Sequence, residues 1–405
     1  MRTTRWVVAA TFVLVAVVLA NCFVVARTSA PTGFRSRLPG ALPVIDAAEF
    51  PSLQAALDAL PPTGGAVRLP PGTFEIKEPL RITTPDVLLE GAGTATHIKN
   101  TNTEGKSAII LQHPSGGDTD KDMLWRIRLA SFRLTGNDKS GHGIEARRIN
   151  EIFIEGVTVS YHGGDGIHLH FCIEDPRICD SLITYNKKTG LNLVGCHDIV
   201  VASNQFEENW DAVRCIDGYN LCMTGNNLDD HLGNGVVIEN SYGSVVSGNM
   251  IEECNGTAIV LDRDCYGITL SANVIAHEVT GGIDLRDAHG CSVSANTFTI
   301  VKKDAVRVGP ASGRITISAN NFSDSFIGDD KIKRTADDRD ASGLTLDGAK
   351  DIAVVGNLFS SLRPKALTIE GKAVAHVLFT DNVLVDAAAD SEKLSGSVVK
   401  DNLSR

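Results

Sequence analysis

The chain has 405 residues, 43% of them hydrophobic but only 5% aromatic, and carries a formal net charge of −11. Such a balance argues against nucleic acid or an anionic membrane surface as the main partner. It leaves room for a polyanionic sugar, because a local basic patch or bound cations can reverse the field.

Arg2 and Arg5 precede an apolar run from Trp6 to Ala26, interrupted by Thr11 and by Asn21-Cys22. A charged start and an apolar middle read as an export element over residues 1–26, with Val24-Val25-Ala26 offering small residues before a cut. The run is also long enough to span a bilayer, so both a cleaved signal peptide and a transmembrane anchor fit it. Leu19-Ala20-Asn21-Cys22 resembles a bacterial lipoprotein box, apart from the Asn directly before the Cys. Either way the bulk of the chain is expected to be exported: periplasmic, secreted or held on the envelope by this one segment. Residues 27–43 follow as a polar, Pro-containing linker.

The next stretch places Leu53, Ala56, Leu57 and Leu60 at helical spacing behind Ser52, a good N-cap, and Pro61-Pro62 and Gly64-Gly65 end it. A solenoid needs its first turn covered, and this helix over about 51–60 is the expected cap. First strands follow in Ala66-Val67-Arg68-Leu69 and Val87-Leu88-Leu89-Glu90, and residues 100–142 read as loops off the early turns.

From Gly143 onward the chain repeats itself. A small residue followed by an aliphatic one returns at Gly143-Ile144, Gly166-Ile167, Gly190-Leu191, Ala212-Val213, Gly235-Val236, Ala258-Ile259, Gly282-Ile283 and Ala305-Val306, every 22 to 24 residues. After a gap of 38 it resumes at Gly343-Leu344 and Ala366-Leu367. An Asn two residues before an apolar side chain keeps the same step, from Asn204/Phe206 to Asn382/Leu384. A period in the twenties means one supersecondary unit stacked on its copies. The leucine-rich framework is absent, and short alternating strands punctuated by Gly and Asn indicate strands with turns.

The expected fold is therefore all-β: a right-handed parallel β-helix of about three short strands per turn, spanning residues 44–390 as one domain. Ile144, Ile167, Leu191 and Val213 stack inward. The turn Asn either takes left-handed backbone or stacks in a ladder with the next turn's Asn. The long gap reads as one turn carrying a charged loop over about 326–341, and residues 391–405 as a polar, frayed tail.

The run of helix, Gly-Gly, "VRLPPGTF" and "VLLEGAG", followed by these repeats, resembles the pectate-lyase-like superfamily of β-helix proteins over about residues 44–390. The resemblance implies the fold and a polysaccharide partner; members include lyases, hydrolases, epimerases and proteins without assigned activity. Asp165-Gly166-Ile167 is similar to the first motif of polygalacturonase-like hydrolases, but the next turn reads Lys188-Thr189-Gly190 where a paired Asp belongs. Gly141-His142-Gly143 is similar to their His motif, one turn too early. The Tyr-Gly-x-Asp-Pro-His motif of alginate-epimerase-like proteins is absent.

Nine cysteines include Cys22. Cys172 and Cys179 bracket one loop and are a candidate disulfide in an exported chain, Cys172 and Cys196 share a phase on neighbouring turns, and Cys215 and Cys291 fall inward. No spacing suggests zinc. The sequence assigns no cofactor, calcium being the one left open, and a solenoid of this kind is expected as a monomer.

Alternation within each strand turns the period into a surface map. One outward row reads Glu145, His168, Asn192, Arg214; a second reads Arg147, His170, Val194, Ile216. Loops leading into these strands add Tyr161, His162, Asp165, Lys187, Trp210, Asp211 and His231. The expected catalytic set is His168, His170, Asp165, Glu145 and Arg214. Arg147, Tyr161, His162, Lys187, Asn192, Trp210, Asp211 and His231 are expected to bind substrate. Glu145 beside His168 fixes its tautomer, His168 or His170 acts as base, and Arg214 or Arg147 holds a sugar carboxylate. This suits proton abstraction next to a carboxylate, the first step of uronate β-elimination or C5-epimerisation. Two other readings remain: a hydrolase using Asp165 and Asp211, and a non-catalytic glycan-binding scaffold whose polar row is ordinary cross-strand pairing.

Overall fold

The computed structural model describes residues 38–116, 119–276, 279–323, 342–371, 374–394 and 396–405. The export segment 1–26, most of the linker 27–43 and the charged loop at 326–341 lie outside the described residues. Among the described residues no helix is long and apolar enough to cross a membrane.

Leu42–Arg405 form one compact body. Three parallel sheets, of 12, 14 and 17 strands, run its length and make a β-solenoid of about 14 turns. The register follows the repeat: Ile144 pairs with Ile167, then Leu191, Val213, Val236 and Ile259 along the 12-stranded sheet. All six side chains are fully buried, so the small-aliphatic phrase is the inward column of that face.

Asparagine builds a second column. Asn204 donates its backbone N–H and its Nδ2 to Asn226 Oδ1, each at 3.0 Å, and the pattern repeats through Asn249, Asn273, Asn296, Asn320, Asn357 and Asn382 to Asn402. The left-handed backbone falls one residue earlier, at Ser203, Gly225, Gly248 and Ala272, among others. Of the two roles expected for the turn Asn, the ladder is the one realised. It satisfies buried polar groups at a corner where strand pairing stops.

The helix Leu53–Asp58 is capped by Ser52 Oγ, which accepts the Ala55 N–H at 3.1 Å, and buries Leu53, Ala56 and Leu57. Gln54 bonds both backbone groups of Arg81, accepting its N–H at 2.8 Å and donating to its carbonyl at 3.2 Å. Arg81 lies in Leu80–Ile82, the end strand of the 12-stranded sheet, so the amide covers an otherwise open edge. At the other end the expected frayed tail is corrected. Val398–Lys400 and Leu403–Ser404 pair with the preceding turn, and Asn402 extends the ladder. A turn of about 20 residues escapes a search for the longer period.

Every described cysteine is a free thiol. The candidate pair Cys172 and Cys179 cannot meet: Cys172 is fully buried in the core, while Cys179 follows inward-facing Ile178 and therefore points out.

Candidate active site

The 12-stranded sheet carries the site on its outer surface. Glu145, His168, Asn192 and Arg214 are register partners on four successive strands, as alternation requires. A second row stands just before these strands, where each chain segment enters the sheet: His142, Asp165, Thr189, Asp211, Asn234 and Thr257. At four of these positions the side chain accepts the backbone N–H one turn on. Asp165 Oδ1 accepts from Thr189 at 3.0 Å, Asp211 Oδ1 from Asn234 at 2.7 Å, and Asn234 Oδ1 from Thr257 at 2.9 Å. His142 does the same with a ring nitrogen, its Nδ1 accepting the Asp165 N–H at 3.0 Å.

The two rows meet at Asp165, which is 3% exposed. Its Oδ2 accepts from His168 Nδ1 at 2.9 Å and from Asn192 Nδ2 at 3.0 Å. A carboxylate can only accept, so the His168 proton sits on Nδ1 and Nε2 is left with a free lone pair. Burial alone would raise the Asp165 pKa. The bonds from His168 and Asn192, with the charge of the nearby imidazoles, outweigh it and hold the carboxyl below its ordinary value. The rings of His142 and His168 stack with centroids 4.7 Å apart.

A groove of about 700 Å³ opens over this pair. It is lined by His142, Asp165, His168 and Asn192, together with Lys187, Lys188, Trp210, Asp211 and Arg214. Trp210 is 55% exposed and free to offer a ring face. Arg214 donates to Glu239 at 3.0 Å and lies 3.7 Å from Asp211. Arg214 Nε and Asn192 Oδ1 are buried without a hydrogen-bond partner among the described residues. Both belong to residues in the same outward row as His168.

Several expected members stand elsewhere. Glu145 adjoins His168 in register, but its carboxylate accepts from Ser107 Oγ at 2.7 Å; the residue that fixes the His168 tautomer is Asp165. His170 is no free base, because Arg147 Nη1 stands 3.1 Å from its Nδ1 and a guanidinium can only donate. Burial and then the Arg147 charge also depress the His170 pKa. Arg147 is thereby turned toward His170 and is not part of the groove wall. Tyr161 is exposed but stacks on Tyr185 at 5.0 Å, outside the groove lining.

His162 and His231 are corrected outright: both are fully buried. They share the phase of Asn186 and Asn209, a shorter inward Asn column in which His162 donates its backbone N–H to Asn186 Oδ1 at 3.1 Å. Burial depresses their pKa values to about 3 and about 4. The chief addition to the expected set is His142. Its signal was its phase, directly before the small residue of the small-aliphatic phrase, the same as Asp165 and Asp211.

Three groups of described residues bring potential metal ligands together: His142/Asp165/His168, Asp264/Asp287/His289 and Asp229/Asp230/Glu253. In the first, Nδ1 of both rings and Oδ2 of Asp165 are already engaged with the protein, and a His-rich set does not suit calcium. The third offers the oxygen-only set calcium prefers. There burial, with Glu253 alongside, pushes Asp230 up to about 6.

No curated protein matches the chain. Among solved structures it is similar to the mannuronan C-5 epimerase AlgE4 A-module of Azotobacter vinelandii, with a TM-score of 0.58 and 18% identity over 82% of this chain and 99% of that one. It is also similar to DFA-IIIase from Arthrobacter chlorophenolicus A6 in complex with GF2, with a TM-score of 0.55 and 12% identity over 88% and 98%. A third is a point mutant of the periplasmic alginate epimerase AlgG, with a TM-score of 0.50 and 10% identity over 90% and 84%. At such identities the likeness is one of fold. The family of the right handed beta helix region matches over residues 127–275 and 212–322. With the parallel register of all three sheets, this match agrees with the fold of a right-handed parallel β-helix.

Proposed function

We propose that this protein is an exported enzyme acting on a uronic-acid-containing polysaccharide, by removing the proton at C5 of a uronate residue. That step is common to β-elimination by a lyase and to C5-epimerisation. The observation that carries the reading is the Asp165–His168 bond: it leaves His168 Nε2 unprotonated in a groove that also holds Arg214, Lys187 and Lys188. A C5 proton is acidic only because the adjacent carboxylate can take up charge, so base and cations are needed together. Trp210 supplies a face for a sugar ring. The epimerase names of AlgE4 and AlgG, on the same fold, support this chemistry. The charged, apolar start of the chain supports export.

The hydrolase alternative fits less well. It would use Asp165 and Asp211, and its general acid must hold a proton near neutral pH, whereas Asp165 is held ionised and Asp211 accepts from Asn234 twice with Arg214 3.7 Å away. The test is a screen of acidic polysaccharides with the full chain, followed by ultraviolet absorbance of 4,5-unsaturated products and by proton NMR at C5. His168→Gln should lower turnover roughly 10²–10⁴-fold, the usual worth of a general base, with an unchanged melting temperature. Turnover of a uronate polymer that survives this substitution would remove the reading; tight binding with no turnover of any polymer would replace it with the glycan-binding scaffold.

A further inference from the structure

Why is residue 142 a histidine? Elsewhere in its row the structural duty, accepting one backbone N–H from the next turn, is met by Asp165, Asp211 and Asn234. His142 performs it with Nδ1 alone. An acceptor Nδ1 in a neutral ring means that the proton sits on Nε2. Burial depresses the His142 pKa, which keeps the ring neutral. Its neighbour His168 has the opposite arrangement, with the proton on Nδ1 and the lone pair on Nε2. One residue faces both rings: the Asp165 carboxylate accepts from His168, while the Asp165 backbone N–H donates at 3.0 Å to His142 Nδ1, which stands farther, 3.4 Å, from Oδ2. Neither Nε2 has a partner among the described residues, neither is sealed from solvent, and the two stacked rings line one groove.

We propose that His142 and His168 form a matched donor and acceptor on one side of the substrate, and that the enzyme is accordingly a lyase. The inference rests on the reading of His168 as the C5 base. His168 Nε2 takes the C5 proton, and the C5–H pair becomes the C4–C5 double bond. The C4–O4 bond breaks with its pair on O4. His142 Nε2–H hydrogen-bonds O4 as charge builds there, a neutral imidazole acting as electrophile. The imidazolium of His168, stacked 4.7 Å away, then gives its proton to O4, and both rings end as they began. An epimerase has the opposite need: a proton returned to the far face of C5. Two stacked imidazoles in one groove serve departure of O4 instead.

The fold itself supplies the test variant. His142→Asn keeps an acceptor for the Asp165 N–H, as Asn234 does for Thr257, and removes the outer donor. Each variant of the full chain is assayed on the uronate polymer that the parent turns over, with absorbance reporting elimination and deuterium uptake at C5 reporting proton abstraction. His142→Asn should lose elimination by roughly 10²–10³-fold, the worth of one oxyanion donor, while C5 exchange persists. His142→Gln, whose amide reaches toward the ring Nε2 position, should recover part of the loss and guards against a folding artefact. Elimination unchanged in a folded His142→Asn protein overturns the inference and leaves the base intact. So does a parent that epimerises without forming unsaturated ends. Exchange that survives His168→Gln overturns the base, and the inference with it.

Discussion

Asp165→Asn changes one atom and should disable the base without unfolding the protein. The new amide has two orientations. With Oδ1 toward Thr189 it keeps the backbone bond now 3.0 Å long, but then Nδ2 faces His168 Nδ1, now 2.9 Å from the carboxylate. A donor there demands a lone pair, so His168 must move its proton to Nε2 and is no longer a base. The flipped amide preserves the tautomer but strands the buried Thr189 N–H, at about 1–3 kcal/mol. The working tautomer is thus depleted by that amount. The imidazolium formed in the reaction also loses a charge-assisted bond, about 1.5–3 kcal/mol more. Together these lower kcat by roughly 10²–10⁴-fold at 1.36 kcal/mol per decade, with little change in KM because substrate contacts remain. The assay is initial rate on the polymer the parent turns over, beside thermal melts. The Asp165 pKa is depressed in the folded state, so its contribution to stability is full above the ordinary Asp value of about 4 and fades as pH falls through the folded one. Any stability gap between parent and variant should therefore narrow in acid. A variant within a few-fold of the parent in kcat would refute the assignment of Asp165 as the tautomer-fixing residue.

Val213→Asp places a charge in a fully buried column and should cost at least about 4 kcal/mol, read as a collapse of the melting transition; unchanged melting would break the register. Asn249→Leu removes the acceptor of two bonds from Asn226, at 3.0 and 2.9 Å, and the donor to Met223 O and Asn273 Oδ1. It should cost about 3 kcal/mol or more in denaturant titration, and a loss under about 1 kcal/mol would mean that the ladder is ornamental. His162 and His231 have folded pKa values depressed to about 3 and about 4, so the stability they contribute is full above about pH 6.5 and drains as pH falls toward those values. Denaturant midpoints should drop between about pH 7 and 5 (each ring losing about 2 kcal/mol over that window) and should flatten in His162→Leu/His231→Leu; parallel pH curves for the two proteins would contradict it.

The fold was legible because a β-helix writes its register into its period. Val213 lies one period from Leu191 and from Val236, and in-register parallel pairing of these residues leaves no other column for them. The row His168, Asn192, Arg214 followed by alternation alone. What alternation does not encode is where a corner residue turns. His162 and His231 are polar and sit between strands, which suggested a rim. Yet their phase is shared with Asn186 and Asn209, and a recurring Asn at fixed phase marks an inward hydrogen-bonded column here, just as it does at Asn204 and Asn226. The tail escaped for the complementary reason: its turn keeps the Asn but shortens the spacing.

The identity of the carboxylate beside His168 shows a deeper limit. Sequence offered Glu145, one turn below and in register, and Asp165, three residues earlier on the same turn. Register favours the former, since cross-strand partners stand about 4.8 Å apart. The structure selects the latter because Asp165 is doubly held, its Oδ1 committed to Thr189, which aims Oδ2 at the ring. A longer Glu side chain has reach to spare and finds Ser107 instead. The row that enters the sheet is therefore scaffold and site at once. Asp165 caps the next turn with Oδ1, and that bond leaves Oδ2 aimed at His168 and Asn192 in the groove. The geometry around His168 is a by-product of the bond that stacks the turns. A new activity would then arise most readily by exchanging a residue in that row, such as Asn234, while its backbone acceptor role is kept.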